Sequence, residues 1–135
     1  VMRLHARRHN LGLVLTAPFG VRLTDSSATV QPDILFVDNA REAIIGQDLI
    51  EGAPDLVVEV LSPSNWMIDR GRKLEAYRRA GVREYWIVDY RARIIDVLVL
   101  DGGEYVQRGH YASDDTATSE VLSGFSIRVG EVFAL

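Results

Sequence analysis

The sequence predicts an α/β fold of the mixed α+β kind, organised around a central sheet. Branched apolar residues occupy both strand parities at residues 56–61, which is typical of a strand covered on both faces. An amphipathic helix at 67–80 and a second apolar strand at 82–90 follow it, and a hairpin signal comes next at 94–108. A crossover helix between neighbouring strands implies parallel pairing. We therefore expect a mixed sheet flanked by helices, with a β-hairpin region added towards the C-terminus.

The remaining elements are predicted from apolar runs and from the breakers between them. Pro18 and Gly20 separate two short apolar runs and suggest that these runs form a hairpin. Asp101, Gly102 and Gly103 supply the turn of the later hairpin, which we expect to serve as scaffold or dimer surface. In chain order the other predicted elements are a helix at 1–10, strands at 11–17, 21–24 and 30–38, a loop with one helical turn at 39–52, a polar loop at 112–119 and a short strand pair at 120–135.

Length and composition place limits on the protein. The 135 residues fit one domain, residues 1–135, which can bury a core without disulfides or a structural metal. The absence of cysteine excludes thiol catalysis and zinc-thiolate sites, and it is compatible with a reducing cytoplasm. No apolar run approaches the roughly 18 residues of a membrane span. Because a helix is already under way at residue 1, we expect that an N-terminal segment is missing from this cytoplasmic domain.

Charge is distributed in blocks. The net charge of −4 is unfavourable for a general nucleic-acid coat. Residues 1–24 nevertheless contain four arginines and no acid, residues 25–69 are acidic, and residues 70–93 are basic. These blocks are consistent with ordinary solvated helix faces, or with phosphate contacts beside an acidic metal-binding centre. Both interpretations stay open.

Glu59 is the residue that points most directly to function. It places a carboxylate inside the apolar strand at 56–61, where an unpaired charge would cost several kcal/mol, so it requires a metal, a cation or strong hydrogen bonds. Asp55 lies roughly 13 Å away along the same strand, too far to share an ion. Asp33, on another predicted strand, can lie about 4.8 Å from Glu59 between neighbouring strands, which suits a magnesium-like ion.

Lys73 is the candidate cation beside this pair. It precedes Leu74, at the margin of the buried stripe of the helix, and can reach back towards the carboxylates. There it could orient a water molecule or stabilise negative charge on a phosphate. The alternative is that Asp69, one turn earlier, caps the helix and pairs with Lys73 in solvent.

Several motifs together resemble the bacterial Uma-two-type family of restriction-endonuclease-like proteins. They are P-D-I-L-F-V at 32–37, P-D-L-V-V-E-V-L-S-P-S at 54–64, D-x-x-x-K-x-x-x-Y at 69–77, G-V-R-E-Y-W-I-V-D at 81–89 and G-F-S-I-R-V-G-E-V-F at 124–133. The resemblance spans most of the chain. It implies a PD-(D/E)xK nuclease-like core in which Asp33 and Glu59 hold a divalent cation.

The sequence departs from the parent pattern of that superfamily in two places. The position two residues after the acid, where the pattern has lysine, is Leu61, so the resemblance makes Lys73 the replacement. Related domains often add an acid from an N-terminal helix, and this chain has none before Asp25. That ligand is either absent or lies in the upstream segment that we expect to be missing.

The resulting hypothesis is Mg²⁺-dependent or Mn²⁺-dependent hydrolysis of phosphodiester bonds in DNA by a homo-oligomer, most simply a dimer. Asp33, Glu59 and the backbone carbonyl of Val60 would hold the ion, and Lys73 would stabilise the transition state. Ser62, Arg70 and Arg72 are candidates for substrate contact, with a turn or cap as the alternative role of Ser62, and Asp69 and Tyr77 are accessory candidates. The alternative function is a nucleic-acid-binding or oligomerising module that keeps the fold without cleaving.

Other candidates have weaker support. His5 and His9 are four residues apart on the first helix, but no third ligand accompanies them, so we expect surface residues and not a zinc site. Tyr85 and Trp86 are predicted to pack in the sheet, with base stacking as the alternative. His110 lies in a predicted polar loop, remote from a serine and an acid at catalytic spacing.

Overall fold

A computed structural model describes residues 1–23, 29–61 and 66–134, and for residues 66–70 it describes the backbone alone. Within these residues the central sheet has six strands in the order β1-β4-β6-β7-β8-β9. Strands β6 and β7 are parallel and the other neighbours are antiparallel, so the predicted mixed sheet is confirmed. The strands are β1 (Gly12–Thr16), β2 (Gly20–Arg22), β3 (Thr29–Val30), β4 (Ile34–Asp38), β5 (Leu49–Glu51), β6 (Leu56–Val60), β7 (Glu84–Asp89), β8 (Ile94–Asp101) and β9 (Glu104–Tyr111).

Helix α2 (Trp66–Ala80) connects the parallel strands β6 and β7 and covers one face of the sheet. It ends at Gly81, whose φ of 86° lies in the left-handed region that glycine adopts without strain. The amide of Val82 donates to the carbonyl of Tyr77 at 3.0 Å and turns the chain back into β7. Buried residues on this face include Leu35, Val37, Val57, Tyr77, Tyr85, Ile87 and Leu98.

The other face is covered by α1 (Met2–Arg8) and by the C-terminal elements β10 (Thr116–Thr118), β11 (Ser126–Arg128) and α3 (Val129–Val132). Buried Glu84 ties the C-terminal segment to the sheet. Its carboxylate accepts hydrogen bonds from the Trp86 indole at 2.7 Å, the Ser119 hydroxyl at 2.6 Å and the amides of Glu120 and Val121 at 2.9 and 3.1 Å. These bonds replace the water that the charge loses on burial.

The predicted hairpin between residues 11–17 and 21–24 is wrong. Strand β1 pairs with β4, from Gly12 opposite Asp38 to Thr16 opposite Ile34. Strand β2 instead joins β3 and β5 in a separate three-stranded sheet. The physical reason is burial, because Val14 packs in the core on the α1 face whereas Val21 packs in the core on the α2 face.

Three other expectations need smaller corrections. The strand predicted at 30–38 is broken at residues 31–33, where Pro32 lacks the N–H that a ladder needs. The predicted loop at 39–52 contains a 3-10 segment, Asn39–Ile44, and also β5. The predicted polar loop at 112–119 contains β10, which pairs with β11. The strand pair predicted within residues 120–135 is therefore wrong, and the short helix α3 follows β11 there.

The β8–β9 hairpin is confirmed, with Asp101 opposite Glu104 and two glycines between them. Both glycines have positive φ, 61° and 85°, as a two-residue hairpin turn requires. Among the described residues, no helix is long and apolar enough to cross a membrane.

Candidate active site

Asp33 and Glu59 lie opposite each other on neighbouring strands. Strands β4 and β6 are antiparallel, with Ile34 opposite Val58, so continuing this register by one residue places Asp33 opposite Glu59. The Oδ2 atom of Asp33 accepts a hydrogen bond from the amide of Val60 at 2.7 Å. The backbone therefore fixes the carboxylate of Asp33 beside the end of β6.

Helix α2 presents two donors to Glu59. Lys73 and Tyr77 are four residues apart, so they lie on one side of the helix. The Nζ atom of Lys73 is 3.3 Å from Oε1 of Glu59, and the Tyr77 hydroxyl donates to Oε2 at 2.6 Å. Glu59 is 3% exposed and Tyr77 is fully buried, whereas the Lys73 side chain is 38% exposed. The carboxylate thus lies inside the protein, while its cationic partner reaches solvent.

Burial dominates the electrostatics of this pair. Burial raises the pKa of the Glu59 carboxyl above its ordinary value, and the negative charge of Asp33 adds to the rise. The Tyr77 hydrogen bond and the Lys73 charge act against it without cancelling it. Burial and the Glu59 charge raise the pKa of Tyr77 far above its usual range, so its hydroxyl stays protonated and donates.

The donor set suits a hard divalent cation. Asp33 and Glu59 offer carboxylate oxygens, and the Val60 carbonyl faces the same side as its amide, towards Asp33, because both groups of a strand residue point the same way. Among the described residues, no group of three or more acidic, histidine or cysteine side chains could hold a metal. An ion here would have two carboxylates, at most one carbonyl and several waters, which fits Mg²⁺.

The remaining predicted site residues are less completely placed. Ser62 lies outside the described residues, and the side chains of Asp69 and Arg70 lie outside the described side chains. Arg72 is exposed on α2, one residue before Lys73. The predicted cap or pairing role of Asp69 therefore stays a prediction, as do the substrate contacts.

The aromatic and histidine candidates take structural positions. Tyr85 and Trp86 are 1% and 2% exposed, so both pack in the core and are unavailable for base stacking. His5 Nε2 lies 2.7 Å from the Ser123 carbonyl oxygen. His110 is in β9 and not in a loop, and its Nδ1 lies 2.5 Å from Asp96 Oδ1 on the sheet face that also carries Glu59.

Two further buried carboxylates are structural. Asp55 is fully buried and its oxygens meet Arg41, Arg83 and the amide of Asp38 at 3.1, 3.0 and 2.7 Å. The Glu84 carboxylate accepts hydrogen bonds from the C-terminal segment. The sequence gives no local signal for these bonds, because the donors in that segment lie up to 37 residues away. Glu59 differs from both because its one cationic partner, Lys73, is 38% exposed and because it lies opposite a second carboxylate, Asp33.

The cavity beneath α1 is a separate feature. It encloses about 820 Å³ on the opposite face of the sheet and is lined mainly by apolar residues such as Val58, Val88 and Ile95. Glu59 and Lys73 do not line it. The candidate active site therefore lies at the ends of β4 and β6 and not in this cavity.

Replacing Tyr77 by phenylalanine tests how the buried carboxylate is held. We expect a loss of about 1–3 kcal/mol in the free energy of unfolding, because Oε2 of Glu59 loses its donor inside the protein. Tyr105→Phe is the matched control, since its hydroxyl donates to the neutral carbonyl of Val82 at 2.7 Å. Urea melts at neutral pH in chelator should show the larger loss for Tyr77→Phe, and equal losses would contradict a charged acceptor.

The mixed sheet, its parallel β–α–β unit and the carboxylates at neighbouring strand ends define a restriction-endonuclease-like fold. The chain belongs to the Uma2 family, described as "Putative restriction endonuclease", whose match covers residues 1–130.

Solved structures support the fold. A crystal structure described as "a putative nuclease belonging to DUF820", from Anabaena variabilis, superposes with a TM-score of 0.77 and covers 98% of this chain and 74% of that one. The two sequences are 14% identical, so this likeness shows the fold alone. A comparison with curated proteins found no match.

Proposed function

We propose that the protein is a metal-dependent endonuclease that hydrolyses phosphodiester bonds in DNA, with Asp33, Glu59 and the Val60 carbonyl as ligands of Mg²⁺ or Mn²⁺. The observation that carries the proposal is the buried Glu59 carboxylate, held opposite Asp33 across β4 and β6 and faced by Lys73 from α2. Membership of a family described as "Putative restriction endonuclease" supports the same class of reaction.

Each side chain has a separate task in this proposal. Asp33, Glu59 and the Val60 carbonyl would hold a divalent ion, whose charge would polarise the scissile phosphate and lower the pKa of the attacking water. The Val60 amide holds Asp33, and the Tyr77 hydroxyl holds Glu59, so both carboxylates are positioned before substrate arrives. Lys73 is partly exposed, and its Nζ can therefore meet a phosphate oxygen and stabilise developing negative charge.

One observation favours the non-cleaving alternative. Lys73 and Tyr77 contact one oxygen each of Glu59, so protein groups pair both oxygens of this carboxylate. In a module that binds nucleic acid without cleaving it, Glu59 would need no partner beyond Lys73 and Tyr77. The two functions differ in whether Asp33 and Glu59 would hold a divalent cation that supports cleavage.

Cleavage assays separate the two functions. A mixed panel of linear and supercoiled DNA is incubated with Mg²⁺, with Mn²⁺ or with chelator, using the wild type and Glu59→Gln. Nuclease function predicts cleavage by the wild type with metal and none by Glu59→Gln or in chelator. Metal-independent DNA binding without cleavage in any sample would support the alternative, and cleavage by Glu59→Gln equal to the wild type would reject the proposed site.

Metal binding itself should be weak and should depend on both carboxylates. We expect the wild type to bind Mn²⁺ with modest affinity, because few protein ligands and several retained waters are involved. The Asp33→Ala, Glu59→Ala double variant should lose this binding in calorimetry or water-proton relaxation. Asp48→Ala, Glu104→Ala removes two exposed carboxylates as the control. Equal binding by the wild type and the first double variant would place the ion elsewhere.

A further inference from the structure

His110 and Asp96 form a hydrogen-bonded pair in the same row of the central sheet as Glu59. The strand registers place this row across β6, β7, β8 and β9, with the residues Glu59, Ile87, Asp96 and His110. Directly opposite residues share a face of the sheet, so the pair lies on the α2 face, where Ile87 is buried. Helices α1 and α3, which lie close to the first and last described residues, cover the other face.

His110 also lies at the same end of the sheet as the candidate active site. Strands β6 and β9 run in the same direction, because β9 is antiparallel to β8 and β8 is antiparallel to β7, which is parallel to β6. Glu59 and His110 are each the last residue but one of their strands. The two side chains therefore share both a face and an end of the sheet.

A β-bulge brings His110 to this face. Arg108 is an extra residue of β9, at the point where the register with β8 shifts. Tyr105 packs against the core on the α2 face and Tyr111 against the core on the α1 face, although both residues are odd-numbered. Without the extra residue, strand alternation would direct residue 110 towards the α1 face. Bulges of this kind often re-aim a side chain next to an active site.

Asp96 fixes the orientation of the His110 ring. Its Oδ1 atom lies 2.5 Å from Nδ1 of His110, and its side chain is only 15% exposed. An ionised carboxylate can only accept, so we assign the proton of this bond to Nδ1. The His110 side chain is 59% exposed, and no group among the described residues bonds to its Nε2 atom. Nε2 is therefore the nitrogen that can meet a ligand.

The chemistry of this nitrogen suits a phosphate. A protonated imidazole can donate from Nε2 to an anion while Nδ1 stays bound to Asp96, and such bonds to phosphate oxygens are among the stronger hydrogen bonds. Three strand spacings of about 4.8 Å place the Cα atoms of Glu59 and His110 about 14 Å apart. Each phosphate of one DNA strand advances about 3.4 Å along the helix axis, so this distance corresponds to about four nucleotides. Ile87, which is 1% exposed, separates the two positions, so they are distinct contact points.

We propose that His110, held in place by Asp96, binds a backbone phosphate of the DNA about four nucleotides from the phosphate at the Asp33–Glu59 site. The inference rests on the proposed nuclease function for its substrate. His110 is a substrate-binding residue in this proposal, and Asp96 is a positioning residue. A contact so far from the reacting atoms is the same before and during the reaction, so it contributes to DNA affinity and not to the rate of bound DNA.

Salt-dependent DNA binding tests the contact without cleavage. Binding of a fluorescein-labelled DNA duplex to the full chain is measured by anisotropy in chelator between about 50 and 200 mM salt. The pH is about 6, which favours the charged form of histidine side chains. We expect His110→Ala to weaken binding about fivefold and to lower the slope of log affinity against log salt by about 1, because one phosphate contact is lost.

Two variants serve as controls. His110→Arg keeps a cation at the position and should restore both the affinity and the salt slope. His9→Ala removes an exposed histidine of α1, on the other face of the sheet, and should change neither. The melting temperature of His110→Ala should fall by no more than a few degrees, since its side chain is 59% exposed.

Cleavage kinetics separate substrate binding from catalysis. In His110→Ala the DNA concentration that gives half the maximal single-turnover rate should rise about fivefold, while the rate at saturating DNA should change less than twofold. A hundredfold loss at saturating DNA would instead make His110 part of the reacting centre and would overturn the proposal.

Three other results would also overturn it. They are an unchanged affinity and salt slope in His110→Ala, equal effects of His9→Ala and His110→Ala, and binding by His110→Arg as weak as that of His110→Ala. Failure of the nuclease function is distinguishable from these results. A lowered slope in His110→Ala with no cleavage by the wild type would reject the nuclease and retain the phosphate contact, whereas normal cleavage with an unchanged slope would reject the contact alone.

Discussion

If the proposed nuclease function holds, we expect the Lys73→Ala variant to cleave DNA at least about a hundredfold more slowly than the wild type, with its affinity for Mn²⁺ unchanged or slightly higher. The expected loss is that of a positioned group which stabilises charge in the transition state. We expect the metal affinity to be unchanged or higher because Lys73, which pairs with Oε1 of Glu59, would compete with a cation for that oxygen. Single-turnover cleavage at saturating Mg²⁺ gives the rate, and Mn²⁺ titration gives the affinity.

Arg79→Ala is the control for general electrostatics. Arg79 is also on α2, its side chain is 65% exposed, and it pairs with Glu75 away from the carboxylate site. Both substitutions remove one positive charge from the same helix, so simple attraction of DNA would make their effects alike. Equal and small effects would reduce Lys73 to a surface residue that happens to neutralise Glu59.

Local patterns predicted the elements around the site because their determinants are local. The apolar run of β6, the stripe and terminal glycine of α2 and the crossover to β7 lie within residues 56–89. Strand partners are not local. The run at 11–17 carried a correct strand signal, but its partner, β4, begins at Ile34, and the choice depends on which face of the sheet buries Val14.

The distinction between local patterns and non-local partners also applies to the candidate active site. Asp33 and Glu59 were predicted to be neighbours because each interrupts an apolar run, and the antiparallel register places them opposite each other. The spacing of Lys73 and Tyr77 was visible as K-x-x-x-Y, but the sequence did not show that the two side chains take one oxygen each of Glu59. Glu84 was not recognised, because its donors at 119–121 follow a hairpin of long strands.

The Glu59 site differs from Asp55 and Glu84 in its electrostatics. Asp55 has two arginine partners, and the Glu84 carboxylate accepts hydrogen bonds from four donors. Glu59 has one partly exposed lysine and faces Asp33, whose charge opposes its ionisation. Burial and the Asp33 charge therefore raise the pKa of Glu59, and perturbed pKa values of this kind are common at functional sites.

We expect the Glu59→Gln variant to lose cleavage at least about a hundredfold, and yet to gain roughly 1 kcal/mol of stability in chelator at neutral pH. The loss of activity follows from the missing ligand charge. The gain follows because glutamine keeps the shape and still accepts from Tyr77, while the repulsion with Asp33 and the cost of burying a charge disappear. For a chain of this size the gain corresponds to a melting temperature about 3–4 °C higher.

The pH dependence of unfolding stability tests the sign of the predicted Glu59→Gln effect. The pKa of Glu59 is raised in the folded protein, so the stability that its protonated form contributes is fully present below the ordinary value of 4.5 and is lost as the pH rises through the raised pKa. The advantage of Glu59→Gln should therefore be absent below pH 4.5 and appear towards neutral pH. Glu75→Gln is the control of opposite sign, because Arg78 lowers the pKa of Glu75, whose stabilisation is present above 4.5 and lost in acid.

Denaturant melts across pH 4–8 in chelator measure the free energy of unfolding of Glu59→Gln and Glu75→Gln. A clear loss of stability in Glu59→Gln, of roughly 3 kcal/mol or more, would mean that Glu59 neutralises a cation that cannot reach water. We expect no such loss of stability. The Lys73 side chain is 38% exposed, so its ammonium group can be solvated when the carboxylate is gone. Adding Mn²⁺ should then raise the melting temperature of the wild type and leave that of Glu59→Gln nearly unchanged, because an ion that binds the folded state stabilises it by mass action.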